Sequence, residues 1–203
     1  MDKKNAFYAQ SGGVTAVINA SAAGVIEAVR ENNATIGKLY AGLNGIVGAL
    51  QEDLIDTSKE SLSDIAALKH TPGGAFGSCR YKMNDYKDSP AEYERLIEVF
   101  KAHNIGYFFY NGGGDSADTC LKVSQISAKM GYPIQAIHIP KTIDNDLPLP
   151  GDVPTFGYQT ARHVGAEQVS NLMTDALTTR RWFFVVAMGR QAGHLGQGIG
   201  KSA

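Results

Sequence analysis

Apolar residues recur along the chain in short runs, and these runs predict β-strands. Five of them stand out, at residues 4–10, 37–43, 105–111, 132–140 and 180–189. The runs around Phe109 and Val186 are apolar at consecutive positions, so both faces of each strand would be buried. That pattern is typical of a parallel sheet covered by helices on both sides.

Helical patterns separate these runs. Residues 19–30 are rich in Ala, and Ser89 with Pro90 provides an N-cap and a first-turn proline for a helix over residues 91–103. Further helices are predicted from Asp115 to about residue 130 and from about Tyr158 onwards. The alternation predicts an α/β fold with a doubly wound, Rossmann-like parallel sheet. No repeat, charge block or Ser/Pro-rich linker marks a domain boundary inside the chain.

Composition narrows the class of protein. The 203 residues are 43% hydrophobic and 19% charged, which suffices for a globular core. The formal net charge of -1 gives no basic excess for nucleic-acid binding. Cys79 and Cys120 are too few for a disulfide framework, and residues 1–10 contain no long apolar run of a signal peptide or membrane span. We therefore expect a cytoplasmic protein with neither nucleic acid nor membrane as a partner.

Two glycine-rich loops follow predicted strands and lead into helices. The first is QSGGVT at residues 10–15, and the second is NGGGDS at residues 111–116. Free N–H groups at a helix N-terminus bind anions, and glycines let a ligand approach the backbone. Two plainer interpretations stay open: an ordinary strand-to-helix turn for the first loop, and an N-cap role for Asp115 in the second.

The segment PKTIDNDLP at residues 140–148 concentrates polar groups at the end of a strand. Lys141, Thr142, Asp144 and Asp146 lie within it, between an apolar strand and a Leu/Pro-rich stretch. Two carboxylates beside a cation can take different roles, one as a base and the other as an orienting or metal-linked group. A solvated Asn/Asp turn fits this apolar setting poorly, so the segment is predicted to be functional.

Basic residues complete the set of candidates. Arg80 ends the loop GGAFGSCR, and Arg190 ends MGR at the end of the last predicted strand. Arginine suits bidentate phosphate contacts, so these loops together predict a polyanion pocket. The histidines form no zinc motif, and His138, inside an apolar strand, is predicted to be a hydrogen-bonded core residue.

The motifs SGG, GGAFGSCR, GGGDS, PKTIDND and MGR occur in this order and together resemble the phosphofructokinases. The resemblance extends over nearly the whole chain, and PKTIDND is its most specific part. It implies transfer of a phosphoryl group to the 1-hydroxyl of fructose 6-phosphate, with Mg²⁺, to give fructose 1,6-bisphosphate. It also implies a phosphofructokinase-type fold, of which residues 1–203 would be the amino-terminal donor-binding domain.

The resemblance also assigns residue roles. Asp144 would accept the hydroxyl proton, and Gly13, Arg80 and Ser116 would bind the donor diphosphate. The implied substrate-binding residues are Thr142, Ile143, Asp146, Met188, Gly189, Arg190 and, from a neighbouring subunit, Arg181. The last of these implies a homo-oligomer, with a homodimer as our expectation.

Two positions bear on the phosphoryl donor. Members of the family that use ATP resemble GGDGS and PGTIDND, whereas this chain has Asp115 and Lys141 in place of glycines. A carboxylate at Asp115 would repel the α-phosphate of a nucleotide, and Lys141 would neutralise charge on a compact pyrophosphate. We therefore predict that Asp115 and Lys141 are catalytic together with Asp144. The two residues favour a member of the family that uses pyrophosphate. Because Gly114 replaces the usual metal-side Asp or Asn, Asp115 is the expected metal ligand.

The sequence ends while a further glycine-rich helix, after residue 191, is beginning. We therefore expect a longer protein, with the second, substrate-binding domain mostly absent from these residues. Two alternatives stay open: an ATP-dependent phosphofructokinase, and a non-catalytic subunit that binds sugar phosphates. Retention of Asp144 and Asp146 argues against the second alternative.

Overall fold

The computed structural model describes residues 3–203, and these residues form two compact units. The first unit extends to Pro140, and the second runs from Lys141 to Ala203. The sequence shows no linker at this point because β5 continues through it, from Gln135 to Thr142. A boundary inside a strand leaves no compositional signal.

The first unit contains a largely parallel sheet. Strands β1 (Lys4–Gln10), β2 (Ile36–Gly42), β3 (Leu54–Asp56), β4 (Ile105–Gly112) and β5 (Gln135–Thr142) lie in the order β3-β2-β1-β4-β5. Only β3, at the edge, is antiparallel to its neighbour. The predicted α/β class with a doubly wound parallel sheet is confirmed.

Among the described residues of this unit there are five α-helices: α1 (Ile18–Glu31), α2 (Ile46–Gln51), α3 (Leu62–Leu68), α4 (Pro90–Ala102) and α5 (Gly114–Lys129). The three longest were predicted to within two residues at each end. Pro90 occupies the first turn of α4, where a proline loses no helical hydrogen bond. Short α2 and α3, with β3 between them, carry too few periodic positions for a clear sequence signal.

Two buried clusters cover the two faces of the sheet. Phe7 and Phe108 pack with Phe100 of α4 in one cluster, whereas Tyr8 packs with Ile26 of α1 in the other. Successive β1 residues alternate between the clusters because side chains along a strand point to opposite faces. The apolar runs of β1 and β4 are thus explained by burial on both sides.

The second unit is mainly helical. The end of β5 pairs in parallel with β6 (Phe156–Gly157), and α6 (Tyr158–Thr179) packs on α7 (His194–Ser202). Helix α7 approaches closely at Gly165, where an added Cβ would lie 2.5 Å from Ile199 Cδ1. The helices predicted near Tyr158 and after residue 191 are both confirmed. No helix within residues 3–203 has the length and apolarity needed to cross a lipid bilayer.

The strand predicted over residues 180–189 is wrong for this chain. Residues 181–187 have no regular secondary structure, and Trp182 and Val186 are 91% and 95% exposed. A strand needs neighbouring main-chain donors and acceptors, and no strand of the described residues pairs with this segment. The apolar pattern is present, but the pairing that would make it a strand is not.

Candidate functional site

The loop after β1 meets the loop that ends at Arg80. The Ser78 hydroxyl donates to the Gly12 carbonyl (2.7 Å), and the Gly12 N–H donates to the Cys79 carbonyl (2.9 Å). An added Cβ on Gly13 would lie 3.1 Å from Arg80 Nη2, so the guanidinium rests against this glycine. The structure therefore brings together Gly13 and Arg80, two predicted diphosphate ligands that are distant in sequence.

Asn19 holds the loop that carries Arg80. Its side-chain amide donates to the Thr71 carbonyl (2.9 Å) and accepts from the Ala75 N–H (2.7 Å). Asn19 is only 1% exposed, and both hydrogen bonds anchor the loop to α1. Sequence reasoning did not identify this residue, because a single Asn in an Ala-rich helix gives no signal of its long-range partners.

The loop after β4 places Ser116 and Asp115 differently. Ser116 is buried, with its hydroxyl so close to Gly112 that any side chain at that glycine would collide with it. Asp115 is 69% exposed, and its carboxylate forms an ion pair with Lys82 Nζ at 3.1 Å. The cap of α5 is Gly113, so the alternative that Asp115 is the N-cap is wrong. Asp115 lies instead in the first turn, near the positive end of the helix dipole.

Buried amides join the ends of the two central strands. Gln10 and Asn111 are register partners with no exposed surface, and both donate to the Tyr8 hydroxyl, at 3.3 and 3.1 Å. Burial raises the pKa of Tyr8 to about 12, so its phenol stays neutral. These hydrogen bonds link the ends of β1 and β4, where the two glycine loops begin. None of the three residues was predicted as a site residue.

In the second unit, Thr142 and Thr155 shape the loop that carries Asp144. The Asp144 N–H donates to Thr142 Oγ1 (3.1 Å), and the Thr155 hydroxyl donates to the Thr142 carbonyl (2.7 Å). The Thr155 N–H also donates to the Asn145 side chain (2.8 Å), and Thr155, missed by the sequence analysis, is 1% exposed. Internal hydrogen bonds therefore hold the loop in place.

Asp144 itself is partly buried. Its Oδ1 is shielded from solvent and has no hydrogen-bond partner among residues 3–203. Lys141 is buried, Ile143 is partly buried, and Asp146 is exposed. A shielded carboxylate oxygen with free lone pairs can accept a proton or a hydrogen bond from a ligand.

The remaining predicted residues lie in the extended segment after α6. They are Arg181, Met188, Gly189 and Arg190, and all four are exposed. Within residues 3–203, neither arginine side chain forms a hydrogen bond or an ion pair with Asp144 or Asp146. Among the described residues, Arg190 is therefore not bonded to the loop that carries Asp144 and Asp146, whereas Arg181 was predicted to reach the site of a neighbouring subunit.

Mg²⁺ is compatible with the residues present, though not as a cage of protein ligands. No three His, Cys, Asp or Glu side chains of residues 3–203 converge on one point. Magnesium usually keeps several waters and takes one or two carboxylates together with substrate phosphates. Asp115 fits that requirement, because its carboxylate is exposed beside a helix N-terminus that favours phosphate.

Comparison with known proteins identifies the class. The phosphofructokinase family model matches residues 5–201, so the chain belongs to the phosphofructokinase family. Two similar relatives are both called pyrophosphate--fructose 6-phosphate 1-phosphotransferase. The protein of Methylococcus capsulatus is 62% identical and that of Halomonas elongata 61% identical, each over 196 residues and 95% of this chain.

Solved structures agree with this class. The crystal structure of pyrophosphate-dependent phosphofructokinase from Nitrosospira multiformis matches 98% of this chain with a TM-score of 0.89 and 58% identity. This chain covers 50% of that structure and 46% of each of the two relatives. It therefore spans about half the length of the proteins it matches.

Proposed function

We propose that the protein transfers a phosphoryl group from pyrophosphate to the 1-hydroxyl of fructose 6-phosphate, giving fructose 1,6-bisphosphate and orthophosphate. The observation that carries this proposal is Asp144, which holds a shielded, unpartnered carboxylate oxygen in the PKTIDND loop. The names of the relatives support the donor and the acceptor. The reaction is expected to be reversible, as part of glycolysis.

The first unit would bind the donor. Gly13 exposes backbone to the diphosphate, Arg80 lies against that glycine, and Ser116 is held in the first turn of α5. Phosphoryl transfer depends mainly on positioning and charge neutralisation, which backbone N–H groups and a guanidinium supply. Asp115 would exclude a nucleotide α-phosphate, and Lys141 would neutralise charge on the leaving phosphate.

The second unit would provide the base. Asp144 would take the proton from the sugar 1-hydroxyl while that oxygen attacks the terminal phosphorus and the bond to the leaving phosphate breaks. Thr142, Ile143 and Asp146 would hold the sugar near this carboxylate. Met188, Gly189 and Arg190 would bind the sugar phosphate once their segment is ordered by neighbouring polypeptide, and Arg181 would reach the site of a second subunit in a homodimer.

Magnesium belongs to the same proposal. When bound, Mg²⁺ would neutralise phosphate charge, and Asp115 is the residue of this chain that would hold it beside the donor. Residues 1–203 would be the amino-terminal donor-binding part of the whole protein, most of the substrate domain would lie outside them, and the protein would work in the cytoplasm.

Two other functions remain as competitors. An ATP-dependent phosphofructokinase is disfavoured by Asp115, whose exposed carboxylate stands at the donor loop. A non-catalytic sugar-phosphate-binding subunit is disfavoured by Asp144, because a regulatory copy has no use for a shielded base. Neither competitor is favoured by a specific contact in the structure.

A donor assay tests the proposal. A chimera would be made in which this chain replaces the aligned part of the Methylococcus capsulatus relative. We expect it to form fructose 1,6-bisphosphate with pyrophosphate but not with ATP, and we expect the isolated chain to be nearly inactive. Turnover with ATP alone, or an isolated chain as active as the chimera, would contradict the proposal. The unmodified relative is the control.

A further inference from the structure

His138 makes a side-chain contact to the glycine turn between β4 and α5. Its Nε2 lies 2.9 Å from the Gly112 carbonyl oxygen, and the ring is partly buried on β5. The sequence analysis expected only a hydrogen-bonded core histidine, and the hydrogen bond is confirmed. The partner is more informative, because Gly112 leads directly into Gly113, the cap of α5.

Pro140 cannot donate a main-chain hydrogen bond at the end of the β4–β5 pairing. Gly112 is the last residue of β4, and its register partner is Pro140, which has no backbone N–H. The β4–β5 pairing thus ends where the glycine turn begins. His138 lies two residues earlier on β5, and its side chain donates to the Gly112 carbonyl.

The turn needs such a contact because it contains no side chain of its own to fix it. Residues 112–114 are all glycine, and Gly113 caps α5 without a side-chain hydrogen bond. Glycine has more backbone freedom to lose than any other residue. The Gly113 carbonyl in turn accepts from the Ser116 and Ala117 N–H groups, at 3.0 and 3.2 Å. Movement of the turn would therefore shift the whole first turn of α5.

We propose that His138 is a positioning residue for the donor site: its imidazole fixes the Gly112 carbonyl and so aims the free N–H groups at the start of α5 toward the diphosphate. This inference rests on the proposed function, because it takes pyrophosphate as the ligand of that turn. Burial lowers the pKa of His138, so the ring is neutral at pH 7. Its single proton then stays on Nε2, facing the carbonyl.

The test uses the isolated chain and three variants. His138→Leu removes the donor at similar volume, His138→Gln retains an N–H donor, and His70→Leu changes an exposed histidine elsewhere in the first unit. Hydrogen exchange at the Ser116 and Ala117 amides reports on the turn, and calorimetric titration with pyrophosphate reports on binding.

We expect His138→Leu to accelerate exchange at both amides and to weaken pyrophosphate binding, each by about tenfold, the effect of losing one hydrogen bond. His138→Gln should recover most of both losses, and His70→Leu should match the wild type.

Unchanged exchange rates at the Ser116 and Ala117 amides in His138→Leu would overturn the proposal. An equal loss of protection from hydrogen exchange throughout β1 and β4 would also overturn it, because His138 would then only stabilise the core. A wild-type chain that binds no pyrophosphate would contradict the proposed donor function, while the exchange rates would still decide the role of His138.

Discussion

The segment up to Pro140 and the segment from Lys141 onwards carry similar apolar patterns but bury them to different extents. Phe108 in β4 has no exposed surface, whereas Val186 is 95% exposed although it also lies in an apolar run. In the second unit, the buried apolar side chains are Ala166 and Leu195. The comparison shows that an apolar run becomes a strand only where neighbouring strands pair with it and helices cover it.

The two units also differ in how far their predicted site residues contact one another. In the first unit, Gly13 and Arg80 already touch, and the loops around them are anchored by buried polar side chains such as Asn19. In the second unit, the Asp144 loop is internally hydrogen bonded, but Arg190 lies exposed beyond it. Gly13 and Arg80, the proposed donor residues, are thus held in place within the first unit. Under the proposed function, the sugar side is completed by polypeptide that the longer relatives have and this chain does not cover.

The largest effect is expected for the base. In the chimera, Asp144→Asn should lower kcat by about 10²- to 10⁴-fold, because the carboxylate accepts the proton only in the transition state. The affinity for pyrophosphate, which the proposed function assigns to the first unit, should change little. Steady-state kinetics and pyrophosphate titration measure the two quantities.

The control for this change is Asp175→Asn, which alters an exposed carboxylate on α6 and should leave kcat unchanged. An Asp144→Asn variant with normal kcat and a raised KM for fructose 6-phosphate would show that Asp144 only holds the sugar.

The next prediction compares the two apolar runs directly. In the isolated chain, Phe108→Ala should lower the free energy of unfolding by about 3–5 kcal/mol, because it opens a cavity in a closed core. Val186→Ala should change it by less than about 0.5 kcal/mol, since the side chain is exposed. Urea unfolding measures both. Comparable losses for the two variants would mean that residues 181–187 are packed after all.

A third prediction concerns donor choice, which the proposed function assigns to Asp115 and Lys141. In the chimera, Lys141→Gly should reduce turnover with pyrophosphate by about 10²- to 10³-fold, because charge on the leaving phosphate loses its cation. Asp115→Gly should permit measurable turnover with ATP, since it removes a carboxylate that would repel the α-phosphate. It should also weaken turnover with pyrophosphate, since it removes the proposed Mg²⁺ ligand. Initial rates with each donor measure both effects.

The matched control for donor choice is Asp118→Gly, which places a glycine at another exposed position of α5 and should not admit ATP. If Asp115→Gly leaves ATP unused and pyrophosphate turnover unchanged, Asp115 has no part in selecting the donor.

Much of the first unit was predictable from the sequence because its elements are long and periodic. Strands β1 and β4 and helix α5 were located by apolar runs and periodic spacing, and their loops were predicted to bind anions. The short elements were not found, since β3 has three residues and β6 has two. Length sets the strength of a periodic signal.

The site was predictable only in part, for a different reason. Motifs identified the loops, but the contact of Gly13 with Arg80 and the ion pair of Asp115 with Lys82 join residues far apart in sequence. Asn19 and Thr155 act through hydrogen bonds that no local pattern encodes. The strand at residues 180–189 was wrong because the sequence carries the apolar pattern without its pairing partners.

Trp182 gives the most direct test of the difference between the two units. It is the only tryptophan of the chain, and it is 91% exposed within the apolar run. We predict red-shifted fluorescence that acrylamide quenches readily in the isolated chain. In the chimera, the contribution of Trp182, obtained by subtracting the spectrum of Trp182→Phe, should be blue-shifted and poorly quenched. The same exposed emission in both proteins would contradict the claim that polypeptide outside this chain completes the second unit.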